Sequence, residues 1–229
     1  MKVIEKYNHI FFDLFHTLTS VDGAKSPEQS TSEILGIGKV SLKQQLLACS
    51  SDRLKGVIDD PVKIVERMAM NIDPNIPKET ITKAADIRIE CFKDLLINID
   101  KETLSVIESL KLMGRILGIV SNADVCEIYG WNKSPLKQYF DSVTFSCHVG
   151  YMKPEKEIYE IALKKHNVTA DQCLFIGDGG NNELKGASNL GFTTILATHV
   201  IKHLFPDEIE GLRVYANYEV DEICKILTI

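Results

Sequence analysis

Two carboxylates and a lysine stand where this sequence could carry out covalent chemistry. Asp13 follows a short apolar run at residues 10–12, and the hydroxyl group of Thr17 comes soon after it. Asp178 follows a second apolar run beside a group of glycines, and Lys153 lies between the two runs in the chain. A carboxylate can act as a covalent nucleophile, and a pair of carboxylates can hold a hard cation such as Mg²⁺. The set therefore suits the transfer of an anionic group.

The apolar runs predict buried β-strands that alternate with helices. We expect strands over residues 3–14, 115–120, 142–146, 173–176 and 193–197, with helices over 101–112, 154–165 and 182–190. This alternation predicts an α/β fold, a Rossmann-like parallel sheet with helices on both faces. Parallel strands end at one edge of a sheet. Polar groups from four strand ends are predicted to converge there, namely Asp13 with Thr17, Ser121 with Asn122, Lys153, and Asp178 with Glu183.

A helical segment interrupts this alternation after the first strand. Asp60 and Pro61 favour a helix start, since Asp is a good N-cap and Pro a good first helical residue. Residues 78–97 have the apolar stripe of an amphipathic helix. We therefore expect an α/β core made of residues 1–20 and 99–229, and an inserted α-helical cap made of residues 21–98. Residues 19–32 are expected to form the loop that leaves the first strand.

Composition and charge limit the partners. The chain has 229 residues, of which 45% are hydrophobic, and a formal net charge of −6. Without a basic patch, nucleic acid is not expected as a partner, and the acidic balance argues against anionic membranes. There is no apolar run near the roughly 20 residues of a membrane span, and the first residues lack a secretory signal. The six cysteines form no Cys-x-x-Cys pair, so we expect reduced thiols in a cytoplasmic protein.

Four segments resemble, in order, the motifs of the haloacid dehalogenase (HAD) superfamily. They are FDLFHTL around Asp13, VSN ending at Asn122, VGYMKPE around Lys153 with Tyr159 beyond it, and IGD ending at Asp178 with Asn182, Glu183 and Gly186-Ala187 after it. The resemblance covers residues 4–20 and roughly 100–198. The helical insert falls where this family places a cap.

The resemblance implies that Asp13 attacks the substrate and forms a covalent ester. The residues implied for catalysis are Asp13, Thr17, Ser121 and Lys153. Substrate binding is implied for Asn122, together with Ser121 and Lys153. The cofactor implied is Mg²⁺, with Asp13, the backbone carbonyl of Phe15, Asp178 and Glu183 as its ligands. Phosphoryl transfer requires mainly positioning and charge neutralisation, which this set can supply.

Three positions depart from the family's phosphatases. Phe15 stands where they carry a second Asp, which protonates the leaving alcohol and later activates water. General acid–base catalysis is worth about 10²- to 10⁴-fold, so phosphate monoesters with poor leaving groups should be slow substrates. Glu183 stands where Asp is usual, and its longer side chain can make it a partner of Lys153 instead of a metal ligand. His16 replaces the usual Gly.

The favoured function is a Mg²⁺-dependent, phosphatase-type hydrolase of a small phosphorylated metabolite with a good leaving group. An acyl phosphate or a phosphonate adjoining a carbonyl would qualify. The latter resembles the substrate of phosphonoacetaldehyde hydrolase, which uses a cap lysine, and the candidates here are Lys39, Lys43 and Lys55.

Two alternatives stay open. Phe15 and Tyr159 resemble the 2-haloacid dehalogenases, which act on halogenated substrates without metal but carry a hydroxyl residue in place of Asp178. The other alternative is a catalytically weak regulatory protein that binds phosphate or metal. The apolar stripes of the insert would allow a homodimer.

Overall fold

A six-stranded parallel sheet carries the candidate site. The structure, a computed structural model, describes residues 2–19 and 29–229. The strands are β1 (His9–Phe12), β2 (Ile116–Ser121), β3 (Ser142–Phe145), β4 (Cys173–Gly177), β5 (Thr193–Ala197) and β6 (Tyr218–Val220). Their order is β3-β2-β1-β4-β5-β6. Phe12 of β1 pairs with Ile119 of β2 and with Ile176 of β4. The residues that follow these three strands therefore leave the sheet at the same edge.

Twelve α-helices occur in the described residues. They are α1 (Val3–Lys6), α2 (Thr31–Leu35), α3 (Lys39–Ala48), α4 (Ser50–Leu54), α5 (Pro61–Met70), α6 (Lys78–Ile97), α7 (Lys101–Leu112), α8 (Ser146–Val149), α9 (Lys156–His166), α10 (Glu183–Leu190), α11 (Ile201–Leu204) and α12 (Ile209–Arg213). The predicted α/β fold is confirmed. Within the described residues, no helix has the length and apolar composition needed to cross a membrane.

Helices cover both faces of the sheet because alternate residues of a strand point to opposite sides. Ile10 and Phe12 of β1 lie in one apolar cluster, together with residues of α7 such as Ile107. Phe11 lies in a second cluster, together with residues of α9 and α10 such as Ile158 and Leu184. Helices on both faces, as expected, leave the strand ends to form the site.

Two local predictions are wrong, and one strand was not predicted. Residues 3–6 form α1 instead of the start of a strand; the side chain of Glu5 accepts a hydrogen bond from the Lys2 backbone nitrogen at 3.2 Å, which stabilises this first turn. β6 has no counterpart among the predicted strands, because Tyr218 and Glu219 are exposed and leave no apolar run. Thr31 and Ser32 belong to α2 rather than to a loop, and residues 20–28 of that expected loop lie outside the described residues.

The helical insert has an apolar cluster of its own. It is centred on α5 and α6, with Ile64, Met68 and Ile81 among its buried members. The predicted N-cap is confirmed, since the Asp60 side chain accepts a hydrogen bond from the Lys63 backbone nitrogen at 2.8 Å. α6 has the predicted bounds. The assignment of residues 21–98 to a separate cap domain remains a prediction.

Candidate active site

Lys153 lies between two carboxylates at the carboxyl edge of the sheet. Its ammonium group donates hydrogen bonds to Asp13, just after β1, and to Glu183, the first residue of α10. Its side chain is 1% exposed. The backbone nitrogen of Asp13 donates to the Ile176 carbonyl at 2.9 Å, which continues the sheet pairing up to the carboxylate. The predicted contact of Asp13 with Lys153 is therefore present.

The side chain of Asn122 holds the backbone of Lys153 in place. Its Nδ2 atom donates to the Lys153 carbonyl at 2.9 Å, and its Oδ1 atom accepts from the Lys153 backbone nitrogen at 2.7 Å. Both ends of the amide are thus engaged with the chain itself. Asn122 fixes the loop that carries the ammonium group, and its predicted contact with substrate remains a prediction.

Two hydroxyl groups lie buried at the same edge of the sheet. Thr17 Oγ1 and Ser121 Oγ have no hydrogen-bond partner among the described residues. Leaving a buried polar group unpaired costs about 1–3 kcal/mol. Both hydroxyls can donate to the oxygens of an anionic group, which is the role expected of them.

Three carboxylates form a compact acidic cluster. Asp13, Asp178 and Glu183 each offer an oxygen, and these oxygens lie within 4.8 Å of one another. Asp178 Oδ1 accepts from the Gly180 backbone nitrogen at 2.9 Å. Carboxylate oxygens of this kind are the ligands that Mg²⁺ prefers, and Mg²⁺ usually keeps several waters beside one or two carboxylates. The donor set of Asp13 and Asp178 therefore fits the predicted cation, with the Phe15 carbonyl in the same loop as Asp13.

Glu183 is already engaged through both of its oxygens. One accepts from Lys153, and the other accepts from the Gly179 backbone nitrogen at 3.0 Å. This is the partnership with Lys153 that its longer side chain was expected to allow. Its predicted role as a metal ligand remains a prediction.

The charges of the cluster do not balance, because three buried acids share one ammonium group. Burial raises the pKa of Asp13, despite the opposing effect of Lys153, and it raises the pKa of Glu183 well above its ordinary value. Burial opposes the charge of Lys153, but the two neighbouring carboxylates outweigh it and raise its pKa. A bound cation would therefore favour the ionised form of these buried acids.

His16 supplies a further contact to this cluster. Its Nδ1 atom lies 3.5 Å from Asp178 Oδ2, and this hydrogen bond raises the pKa of the imidazole. Burial opposes the ionisation of Asp178, but hydrogen bonds from His16 and Gly180 outweigh it and lower its pKa. The φ angle of His16 is 62°, a left-handed conformation that explains why Gly is usual at this position.

A cleft of about 440 Å³ separates the acidic cluster from the helical insert. Phe15 lines it and packs edge-to-face against Phe92 of α6, with ring centroids 5.6 Å apart. None of the three candidate cap lysines lines the cleft. Lys55 pairs with Glu155 at 2.5 Å, and Lys43 lies over the ring of Phe205 at 5.6 Å.

The sequence did not reveal a four-charge cluster between the insert and the core. Arg53 of α4 and Arg88 of α6 both pair with Asp124 and Glu127, with nitrogen–oxygen distances of 2.7–3.1 Å. One signal was available, because Arg88 lies on the apolar stripe of α6, four positions before Phe92. An arginine on a buried face needs a carboxylate partner.

A family model for haloacid dehalogenase-like hydrolases matches residues 7–191. The chain belongs to this family. The motif segments that carry Asp13, Lys153 and Asp178 all fall within the match, as does the helical insert. The resemblance drawn from the sequence is confirmed.

Curated relatives carry different activities. Glyceraldehyde 3-phosphate phosphatase of Methanothermobacter thermautotrophicus is 30% identical over 55% of this chain and 57% of its own length. Bifunctional epoxide hydrolase 2 of Rattus norvegicus is 34% identical over 43% of this chain and 19% of its own length. The chain thus spans about half, or less, of the curated relatives it matches.

Solved structures of two kinds share the fold. L-2-haloacid dehalogenase from Xanthobacter autotrophicus superposes with a TM-score of 0.65 at 16% identity, covering 96% of each chain. A HAD family enzyme from Bacteroides thetaiotaomicron, in complex with magnesium and inorganic phosphate, gives a TM-score of 0.61 at 19% identity. That match covers 87% of this chain and 99% of the other. At such identities the likeness establishes the fold alone.

Proposed function

We propose that this protein is a Mg²⁺-dependent, phosphatase-type hydrolase that forms a covalent intermediate on Asp13. The observation that carries this proposal is the contact between Lys153 and Asp13 at an edge that also holds two unpaired hydroxyl groups. A cation, two hydroxyl donors and a carboxylate are what a phosphoryl group needs for binding and attack. The phosphatase named among the relatives supports the same class of reaction.

Different side chains of the protein attack the phosphoryl group, bind its oxygens and orient the ammonium group. An oxygen of Asp13 attacks phosphorus, while the Thr17 and Ser121 hydroxyls and the Lys153 ammonium bind the phosphoryl oxygens. Glu183 orients the ammonium group. Asp13, Asp178 and the carbonyl of Phe15 would hold Mg²⁺, which when bound would supply positive charge against the phosphoryl oxygens. This charge allows two anions, the carboxylate and the substrate, to approach each other.

Phe15 restricts the leaving group. Since its side chain has no proton to donate, the leaving oxygen departs with the bonding electron pair as an anion. Water then attacks phosphorus and the bond to Asp13 breaks, which restores the carboxylate. One proton of the water stays on the released hydrogen phosphate, and the other passes to solvent. Substrates whose leaving groups are stable anions, such as acyl phosphates, are therefore favoured over alkyl monoesters.

The experiment is a turnover assay on acetyl phosphate with Mg²⁺ and with excess EDTA. We expect turnover that needs Mg²⁺ and falls at least about 10³-fold in Asp13→Asn, since the nucleophile is removed. Asp171→Asn, at an exposed acid before β4, is the matched control and should keep the parent rate. Equal rates for Asp13→Asn and the parent would refute the covalent scheme.

Phe15 also favours a second candidate, a 2-haloacid dehalogenase, because halide leaves without a proton. This candidate predicts chloride release from 2-chloropropionate in EDTA. Tight binding of Mg²⁺ and phosphate, with no turnover of either substrate class, would favour a regulatory protein instead. We further propose that the helical insert acts as the cap over the site, because its residues line the cleft.

A further inference from the structure

The insert's side of the cleft is mainly apolar. Four residues from α3, α4 and α6 line it beside Phe15, namely Leu47, Leu54, Phe92 and Leu95. Leu47 is 66% exposed, so its side chain remains largely in water at the cleft. An apolar group bound here would remove that surface from water, which is favourable in proportion to the area buried.

The four apolar residues of the insert, together with Phe15, form the apolar wall of the cleft. The two aromatic rings of this wall are held in position. Phe15 and Phe92 meet edge-to-face at an interplanar angle of 81°, an arrangement that aromatic pairs prefer. The guanidinium of Arg88 lies 4.8 Å from the centre of the Phe92 ring and adds a cation–π contact. A planar ligand would therefore meet preorganised rings.

The charges that border the wall neutralise each other. Arg53 and Glu127 line the cleft, and both belong to the cluster of two guanidinium groups and two carboxylates. Among the described residues that line the cleft, the other cationic groups are Lys153, which already contacts Asp13 and Glu183, and His16, whose imidazole pairs with Asp178. The wall thus offers no surplus positive charge to a second anionic group on the substrate.

We propose that the leaving group this cleft accepts is planar and apolar, with no charge other than that on the departing oxygen, so that the substrate is an aryl or aroyl phosphate. The inference rests on the proposed function, and it specifies the part of the substrate to which the phosphoryl group is attached. The phosphorus–oxygen bond to the leaving group breaks as the bond to Asp13 forms. A phenolate or an aromatic carboxylate leaves with the electron pair, which is the departure that Phe15 requires.

Benzoyl phosphate and acetyl phosphate test the inference, because the conjugate acids of their leaving groups, benzoic acid and acetic acid, are of similar strength. The ring is the main difference, so kcat/KM should be about 10- to 100-fold higher for benzoyl phosphate, from the apolar area of the ring. Binding gives a readout without turnover. Phenylphosphonate should bind the Mg²⁺-loaded protein more tightly than methylphosphonate in calorimetric titrations.

Variants of the wall locate the effect. Leu47→Gln and Leu95→Gln replace partly exposed side chains and should lower the benzoyl-to-acetyl ratio of kcat/KM several-fold. Val40→Gln is the matched control: it lies on the same helix as Leu47, is 72% exposed and does not line the cleft. It should keep the parent ratio.

The outcomes separate the inference from the proposed function. Turnover of both acyl phosphates with equal kcat/KM, or with preference for acetyl phosphate, overturns the apolar pocket and leaves the hydrolase intact. A preference for benzoyl phosphate that the leucine variants share with the parent also overturns it. Failure of the folded, Mg²⁺-loaded protein to turn over either substrate overturns the proposed function, and this inference with it.

Discussion

The ring of Phe15 packs against the ring of Phe92, with 5.6 Å between centroids and 81° between planes. The first ring lies two residues after Asp13, and the second belongs to α6 of the insert. The side chain that replaces the family's second acid thus also joins the core to the insert. Aromatic pairs of this geometry contribute about 0.5–1.5 kcal/mol beyond their buried area.

Phe15→Asp should raise the turnover of alkyl phosphate monoesters by about 10-fold or more, because it restores a proton donor beside the leaving oxygen. Steady-state assays on a simple alkyl phosphate with Mg²⁺ measure the gain. Phe15→Asn is the matched control, since it loses the same ring contact without gaining a proton. If the two variants turn over alkyl phosphates equally, the site lacks the geometry of a phosphatase.

Glu183→Gln should change how stability depends on pH. The pKa of Glu183 lies well above 4.5 in the folded protein. As the pH rises from about 4.5 towards that raised pKa, the unfolded chain loses this proton before the folded one does. The stability of the parent relative to the variant should therefore fall with rising pH over this window. Urea unfolding in EDTA at several pH values measures this difference, and a rise would contradict the burial argument.

His16→Gly should make Mg²⁺ binding less sensitive to pH. In the parent, the raised pKa of His16 keeps an imidazolium beside Asp178 as the pH falls, where it competes with a cation for the same carboxylate. Mg²⁺ affinity should therefore weaken more between pH 8 and pH 6 in the parent than in the variant. His16→Asn, which also tolerates the left-handed backbone, should behave like His16→Gly in calorimetric titrations. If both variants kept the pH dependence of the parent, the charge of His16 would have no effect on Mg²⁺ affinity.

Arg88→Met should destabilise the protein by about 3–5 kcal/mol, because it leaves two buried carboxylates with one cation. Lys111→Met removes one partner of the more exposed pair with Asp141 and should cost only about 0–1 kcal/mol. Denaturant unfolding at pH 7 compares the two. Similar small losses would mean that Arg88 carries little of the contact between insert and core.

The sequence predicted those parts of the site that follow from strand topology. Asp13 and Asp178 stand at the ends of adjacent parallel strands, so their approach needs only the order of the sheet. The bounds of α6 were predictable because its apolar stripe is long and regular. In contrast, β6 is short and mostly exposed, and its pairing with β5 comes from the tertiary fold.

Contacts between distant polar residues could not be predicted in this way. Arg53 and Asp124 are 71 positions apart, and no local pattern relates them. The side-chain amide of Asn122 could form hydrogen bonds with a substrate or with the backbone equally well. Its bonds to the Lys153 backbone follow from the tertiary fold and not from a local sequence pattern. Phe15 was recognisable as a departure from the family, but its partner Phe92 depends on how the insert packs.

The pairing of Asn122 with the Lys153 backbone has an evolutionary consequence. It joins two motif segments, 31 positions apart, through groups that belong wholly to the α/β core. Provided that Arg53 and Arg88 are kept as partners of Asp124 and Glu127, the rest of residues 31–97 can therefore diverge without disturbing the ammonium group beside Asp13. We expect chimaeras that exchange this stretch between relatives to acquire the donor's substrate preference while the recipient's reaction persists.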